Sequence, residues 1–285
     1  MNDSEAMDGQ VALVTGATGG IGREVARRLG ARGAHVVVTG RSRERGEETV
    51  AEIERAGGSA QLFRADFASM ATVRALADEF RNRYDRLDVL VNNAACSQDA
   101  RRLTTDGHEL TLAVNHLAPY LLTHDLLGLL ADTPGARIVN TSSTVHRRGE
   151  VDFADLRLEA DYEAFAAYAR SKLANLLFTT ELAARVDLPV NAVHPGFVPG
   201  SGLYRHAALP VRTFMALAAR LPIAGTTVPA AAAPLVDLAV DPDTTHTYFE
   251  GRDPADPDPR VGDDRLREQL WNVSAALVDV GPDWP

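Results

Sequence analysis

Residues Val11-Ala12-Leu13-Val14-Thr15-Gly16-Ala17-Thr18-Gly19-Gly20-Ile21-Gly22 decide how the rest of the chain is read. Residues 11–15 form an apolar run short enough for a fully buried strand. Glycines follow at the spacing G-x-x-x-G-x-G, and helical periodicity resumes over residues 21–31. Glycines at a strand-to-helix turn have a definite physical use. Without Cβ atoms the turn is tight, the backbone can approach a pyrophosphate, and the N-terminus of the next helix faces the anion. A tight turn with no ligand would show the same pattern, so the surrounding sequence has to carry the reading further.

It does so by repetition. Short apolar runs at 35–39, 61–65, 87–91, 137–141, 189–193 and 248–249 predict strands. Helical patterns at 42–56, 69–84, 107–130, 162–185 and 265–278 alternate with them. That is the rhythm of a parallel sheet covered by helices on both faces, an α/β doubly wound (Rossmann) fold. No Gly/Ser linker or repeat interrupts it, so one domain is expected. Residues 1–8 read as a flexible tail and 9–285 as a dinucleotide-binding catalytic domain. Residues 197–229, apolar and punctuated by Pro and Gly, read as a substrate lid with a helical patch at 212–221. The acidic, Pro-rich residues 253–259 read as a rigid solvated loop.

The chain has 285 residues, 45% hydrophobic and 24% charged, which is ordinary for a globular protein and excludes disorder. A net charge of −10 argues against a nucleic-acid partner. One cysteine, Cys96, allows no internal disulfide and fits a reducing compartment; its thiol is expected to be buried and inert. The polar, acidic N-terminus does not resemble a signal peptide. The Ala-rich stretch at 228–240 is broken by Pro229, Pro234 and Asp237, so no membrane insertion is expected, and a cytoplasmic location is. His116, His124, His146 and His194 show no ligand spacing, so no metal is expected.

Two further patterns carry chemistry. Where the second strand ends, an acidic residue would accept from the adenosine ribose; here Gly40 stands there, followed by Arg41 and, close behind, Arg43. A missing carboxylate and a gained guanidinium point to the 2′-phosphate of NADP. The second pattern is Tyr168-Ala169-Arg170-Ser171-Lys172. Four residues apart on a helix, phenol and ammonium share one face. The cation favours the phenolate and brings the tyrosine toward working pH as an acid–base group. Lys172 is also the single lysine among 29 basic residues. A lysine that survives such an arginine bias is one that arginine does not replace.

On these residues the sequence resembles the short-chain dehydrogenase/reductase superfamily, closest to its retinol-dehydrogenase-like branch. TGxxxGxG is complete at Thr15 to Gly22 and YxxxK at Tyr168 to Lys172. Asn92-Asn93-Ala94-Ala95 is similar to NNAG, with Ala95 in place of the last glycine. Asn115-His116-Leu117, Ser142-Ser143 and His194-Pro195-Gly196 fall in family order. The resemblance implies a catalytic set of Asn115, Ser143, Tyr168 and Lys172, with Asn115 holding a relay water. It implies cofactor contacts from Gly16, Thr18, Gly20, Ile21, Gly22, Arg41, Asp66, Phe67, Asn93, Ala94, Tyr168, Lys172, Pro195, Gly196 and Val198. Asp66 could equally cap a turn. The threonine expected soon after Pro-Gly is replaced by Gly200, with Ser201 next. The expected function is NADP(H)-dependent interconversion of an alcohol and a carbonyl on a hydrophobic small molecule. Leu203, Tyr204, Phe214, Met215 and Leu217 would line its lid. A homo-oligomer, dimer or tetramer, is left open. The rival reading is a non-catalytic NADP-binding sensor or scaffold, which needs Arg41 but neither Tyr168 nor Lys172.

Overall fold

The computed structural model describes residues 6–199, 203, 213, 225–244 and 247–285. The expected helical patch at 212–221 (apart from Thr213), the lid residues Tyr204, Phe214, Met215 and Leu217, and the Gly200-Ser201 pair lie outside the described residues.

Eight strands form one sheet: β1 (Val11–Val14), β2 (His35–Gly40), β3 (Ser59–Arg64), β4 (Val89–Asn92), β5 (Arg137–Thr141), β6 (Val190–His194), β7 (Tyr248–Glu250) and β8 (Asp253–Pro254). Their order is β3-β2-β1-β4-β5-β6-β7-β8, all parallel except the β7–β8 pair. The expected doubly wound architecture is therefore present. Its one antiparallel piece occupies part of the 253–259 segment, where Glu250 pairs with Asp253.

Alternating side chains of the inner strands feed two cores. Val11, Leu13, Leu90 and Ile138 enter one; Ala12, Val14, Val91 and Val139 enter the other. The second core is closed by α1 (Gly20–Gly30) and α2 (Arg43–Arg55). On the opposite face lie α3 (Met70–Arg83), α4 and α5 (Ala164–Arg185). α4 is a continuous run of Leu110–Leu112, a π-helical turn Ala113–Leu117, and Ala118–Asp132. Ser42 and Ser69 cap α2 and α3 by accepting from Arg45 N and Thr72 N.

Two elements depart from the pattern reading. Val228–Val240 is a helix, α6, despite its prolines. Pro229 sits in the first turn, where no N–H is needed, and Thr227 caps the end by accepting from Ala230 N. Its apolar face, with Ala232, Leu235 and Val236, joins α1 in the second core. The tail is also shorter than expected. Met7 is fully buried, and its N–H donates to Arg32 O at 2.9 Å, so packed chain begins before Gly9.

α7 (Asp264–Leu277) lies on α5 and places Trp271 among Tyr120, Phe178 and Trp284. Each such aromatic side chain, removed from water, contributes on the order of 1.5–3 kcal/mol.

Candidate active site

The C-terminal ends of the strands open into a cavity of about 570 Å³, at the crevice between β1 and β4, where the strand order reverses. Gly16 takes a φ of +66°, and a Cβ on it would lie 2.8 Å from Ala94 Cα. Gly22 does not face the cavity; a Cβ there would lie 2.4 Å from Asn93 Nδ2 and 2.6 Å from Gly16 O. Both glycines thus let the turn pack against the loop after β4. Thr15 locks the two together, its Oγ1 accepting from Asn93 N and Ala94 N at 2.9 and 3.0 Å. What remains at the surface is a cradle of Gly16, Thr18, Gly20 and Ile21, with Asn93 and Ala94 opposite.

At the far end the wall is Arg41, Arg45, Asp66 and Phe67. Arg45 takes the place expected for Arg43, which is turned outward and pairs with Glu47 at 3.4 Å. Asp66 does cap its turn, with Oδ1 accepting from Ala68 N at 3.1 Å, while also lining the cavity. Gly40 has a neighbour that spacing does not reveal. A Cβ there would meet Thr18 Cγ2 at 2.5 Å, so the Thr18 side chain fills the slot an acidic residue would use.

The other half of the cavity gathers Ser143, Tyr168, Lys172, Pro195, Gly196 and Val198. Ser143 follows β5 in extended backbone, and its Oγ accepts from Val145 N at 3.4 Å, which leaves the hydroxyl hydrogen to donate. One turn of α5 separates Tyr168 from Lys172, whose Nζ stands 5.6 Å from the phenol ring centroid. Lys172 is 1% exposed and donates to Thr141 O at 2.9 Å. Loss of hydration disfavours its charge and lowers its pKa to about 8. Burial likewise pushes the Cys96 thiol up to about 11, so this partly exposed cysteine at the cavity wall stays a thiol.

Asn115 lies behind the wall, at the centre of the π-helical turn of α4. Its Oδ1 accepts from Cys96 N at 2.8 Å; its Nδ2 donates to Cys96 O and Ser171 Oγ, both at 3.0 Å. Both amide hydrogens are thus spent on protein partners. The side chain thereby clamps the loop after β4 to the helix of Tyr168. Ser171 completes the link by donating to Tyr168 O at 2.7 Å.

No helix among the described residues is long and apolar enough to cross a membrane. The described residues contain no group of three His, Cys, Asp or Glu side chains fit to hold a metal ion.

A parallel sheet in this order, with a glycine cradle at its crossover and a tyrosine–lysine pair on the same cavity, defines a nucleotide-dependent oxidoreductase fold and site. Residues 10–203 match the family described as short chain dehydrogenase, and the chain belongs to that family. It is 36% identical to mouse (Mus musculus) retinol dehydrogenase 14, over 98% of this chain and 88% of the relative. It is 39% identical to DnrU of Streptomyces sp. (strain C5), a candidate daunorubicin C-13 ketoreductase, over 95% of this chain and 93% of that one. A solved structure of a candidate short chain dehydrogenase from Escherichia coli CFT073, complexed with NADPH, superposes with a TM-score of 0.68 at 25% identity, covering 88% of this chain and 99% of that one. The protein is accordingly an alcohol–carbonyl oxidoreductase of the retinol-dehydrogenase-like branch, built on a nicotinamide-cofactor fold.

Proposed function

We propose that the protein interconverts an alcohol and a carbonyl on an apolar small molecule, using NADP(H) and with Tyr168 as general acid–base. The observation that carries this is that Ser143, Tyr168 and Lys172 line one continuous cavity with the glycine cradle and with Arg41 and Arg45. The cradle fits a dinucleotide, because Gly16, Gly19 and Gly20 present backbone without side chains to the cavity. Two guanidiniums where a ribose-binding carboxylate is missing suit a 2′-phosphate.

When bound, the nicotinamide dinucleotide supplies or takes up the hydride at the carbonyl carbon. The chain's own groups do the rest. Ser143 Oγ donates to the carbonyl oxygen and polarises it. Tyr168 gives that oxygen its proton in reduction and removes the proton in oxidation. Lys172, held on Thr141 O, stabilises the phenolate and has ammonium hydrogens left for the ribose hydroxyls. Asn115 and Ser171 keep the tyrosine's helix in register with the loop across the cavity.

On the substrate side Leu110, Val114, Phe197 and Leu203 line the wall, which favours an apolar ligand. The names of two relatives, a retinol dehydrogenase and a candidate ketoreductase, are in keeping with an alcohol or ketone on a carbon-rich molecule. The test is NADPH consumption with a panel of apolar ketones and aldehydes, in the unmodified protein and in Tyr168→Phe. Removal of the transferable proton is expected to cost roughly 10²–10⁴-fold in turnover while NADPH binding stays within about twofold. Cofactor binding with no turnover on any substrate would favour the sensor reading instead.

A further inference from the structure

The turn after Ser143 contains a histidine that reaches no part of the cavity. His146 is fully buried, and both ring nitrogens are bonded. Nδ1 lies 2.6 Å from Ser143 O, and Nε2 lies 3.1 Å from the backbone N of Asp258. A carbonyl can only accept and a backbone N–H can only donate, so the ring is neutral with its proton on Nδ1. The Ser143 carbonyl already accepts from the His146 backbone N–H at 3.0 Å. The ring therefore gives this one carbonyl a second donor, and with it holds the extended Ser143 backbone (φ −160°, ψ 148°) from which the hydroxyl enters the cavity.

The far side of the ring is braced as firmly. Tyr248 packs edge-on at 5.3 Å. The Asp258 carboxylate accepts from Arg260 Nε at 2.7 Å, and Arg260 reaches back to Gly149 O and Arg147 O at 2.6 and 3.1 Å. Arg147 in turn donates to Asp256 O at 2.9 Å. The acidic, Pro-rich segment that sequence assigned to solvent is thus tied, bond by bond, to the turn that begins at Ser143.

We propose that His146 is a positioning residue: its Nδ1–H orients Ser143 toward the substrate oxygen, with the Asp253–Pro259 segment as backstop. This rests on the reading of Ser143 as the hydroxyl that polarises the carbonyl. A residue needed only for packing would affect folding and all ligands alike. A positioning residue affects turnover, and the loss follows the Nδ1 bond.

Two variants separate those cases, with the best ketone of the unmodified protein as probe. His146→Asn places an amide N–H near the position of Nδ1 and should keep kcat within about threefold. His146→Gln reaches toward Asp258 N but leaves the second bond to Ser143 O unmade. It should lose about tenfold in kcat, the equivalent of one hydrogen bond of about 1.4 kcal/mol, with the NADPH Kd unchanged. Equal losses in the two variants, or losses confined to Kd or Tm, overturn the proposal. Should neither variant fold, the ring tautomer in the unmodified protein decides, read by ¹⁵N NMR of labelled histidine. An Nδ1–H ring supports the proposal. An Nε2–H ring in an active protein overturns it alone. A protein that reduces no carbonyl overturns the reading of Ser143 and the proposal with it, whatever the tautomer.

Discussion

The two ends of the cavity treat positive charge in opposite ways. At one end Arg41 and Arg45 stand exposed to solvent; at the other Lys172 is sealed beneath Tyr168 with one backbone carbonyl for a partner. An exposed guanidinium is hydrated, screened by salt and replaceable in kind. A buried ammonium carries a desolvation cost and fits one geometry. The difference separates binding, where approximate charge suffices, from proton transfer, where it does not.

The largest expected effect is therefore at the buried end. Lys172→Arg keeps the charge, yet a planar guanidinium has no room at a site that is 1% exposed and shaped around Nζ on Thr141 O. Turnover at saturating NADPH should fall by about a hundredfold, within the range of general acid–base contributions. Near-normal kcat would erase the contrast between the two ends.

At the exposed end Arg41→Ala should weaken NADPH by about ten- to a hundredfold, the value of one charge-assisted phosphate contact, and leave NADH almost unchanged. Raising salt should narrow the gap between the two cofactors. Dissociation constants by NAD(P)H fluorescence check both. A loss shared equally by NADH would mean that Arg41 does not face the 2′-phosphate.

Reversing the preference is harder than changing charges alone. Gly40→Asp with Arg41→Ala introduces a Cβ against Thr18 Cγ2 at 2.5 Å, so the threonine must rotate away. Adding Thr18→Ala should tighten NADH by a further several-fold, about 1 kcal/mol of relieved crowding. If Thr18→Ala adds nothing, the threonine is not what keeps the slot closed.

The smallest effect is a pH dependence at the buried end. With its pKa lowered to about 8, Lys172 is charged below that pH and neutral above it. NADPH affinity should fall a few-fold as pH rises from 7 to 9, because the cation next to the ribose is lost, and Lys172→Met should flatten the profile.

Much of this site was legible in the sequence, for a local reason. TGxxxGxG and YxxxK are spacings within one turn and one helix, so chain geometry alone places Gly16 beside Gly20 and Tyr168 beside Lys172. The strand–helix alternation was legible for the same reason. The prolines of α6 hid a helix because propensity argues against them, while burial of Leu235 and Val236 on α1 outweighs it.

What the sequence by itself determined is the set of groups that short-range geometry brings together: the glycine turn, the tyrosine–lysine pair, and an arginine where a carboxylate would stand. Tertiary structure decided everything that depends on segments far apart meeting. It chose Arg45 over Arg43 by the way α2 docks on the sheet, and it set Thr18 against Gly40 across the β1 and β2 strand ends. It made Asn115 a clamp on Cys96, and it brought Asp258 to His146 across 112 positions of chain. The first two follow from how packed elements dock, and the last two from hydrogen bonding. A buried polar group must find its partner wherever the packed sheet and helices leave one, and sequence separation carries no information about where that is.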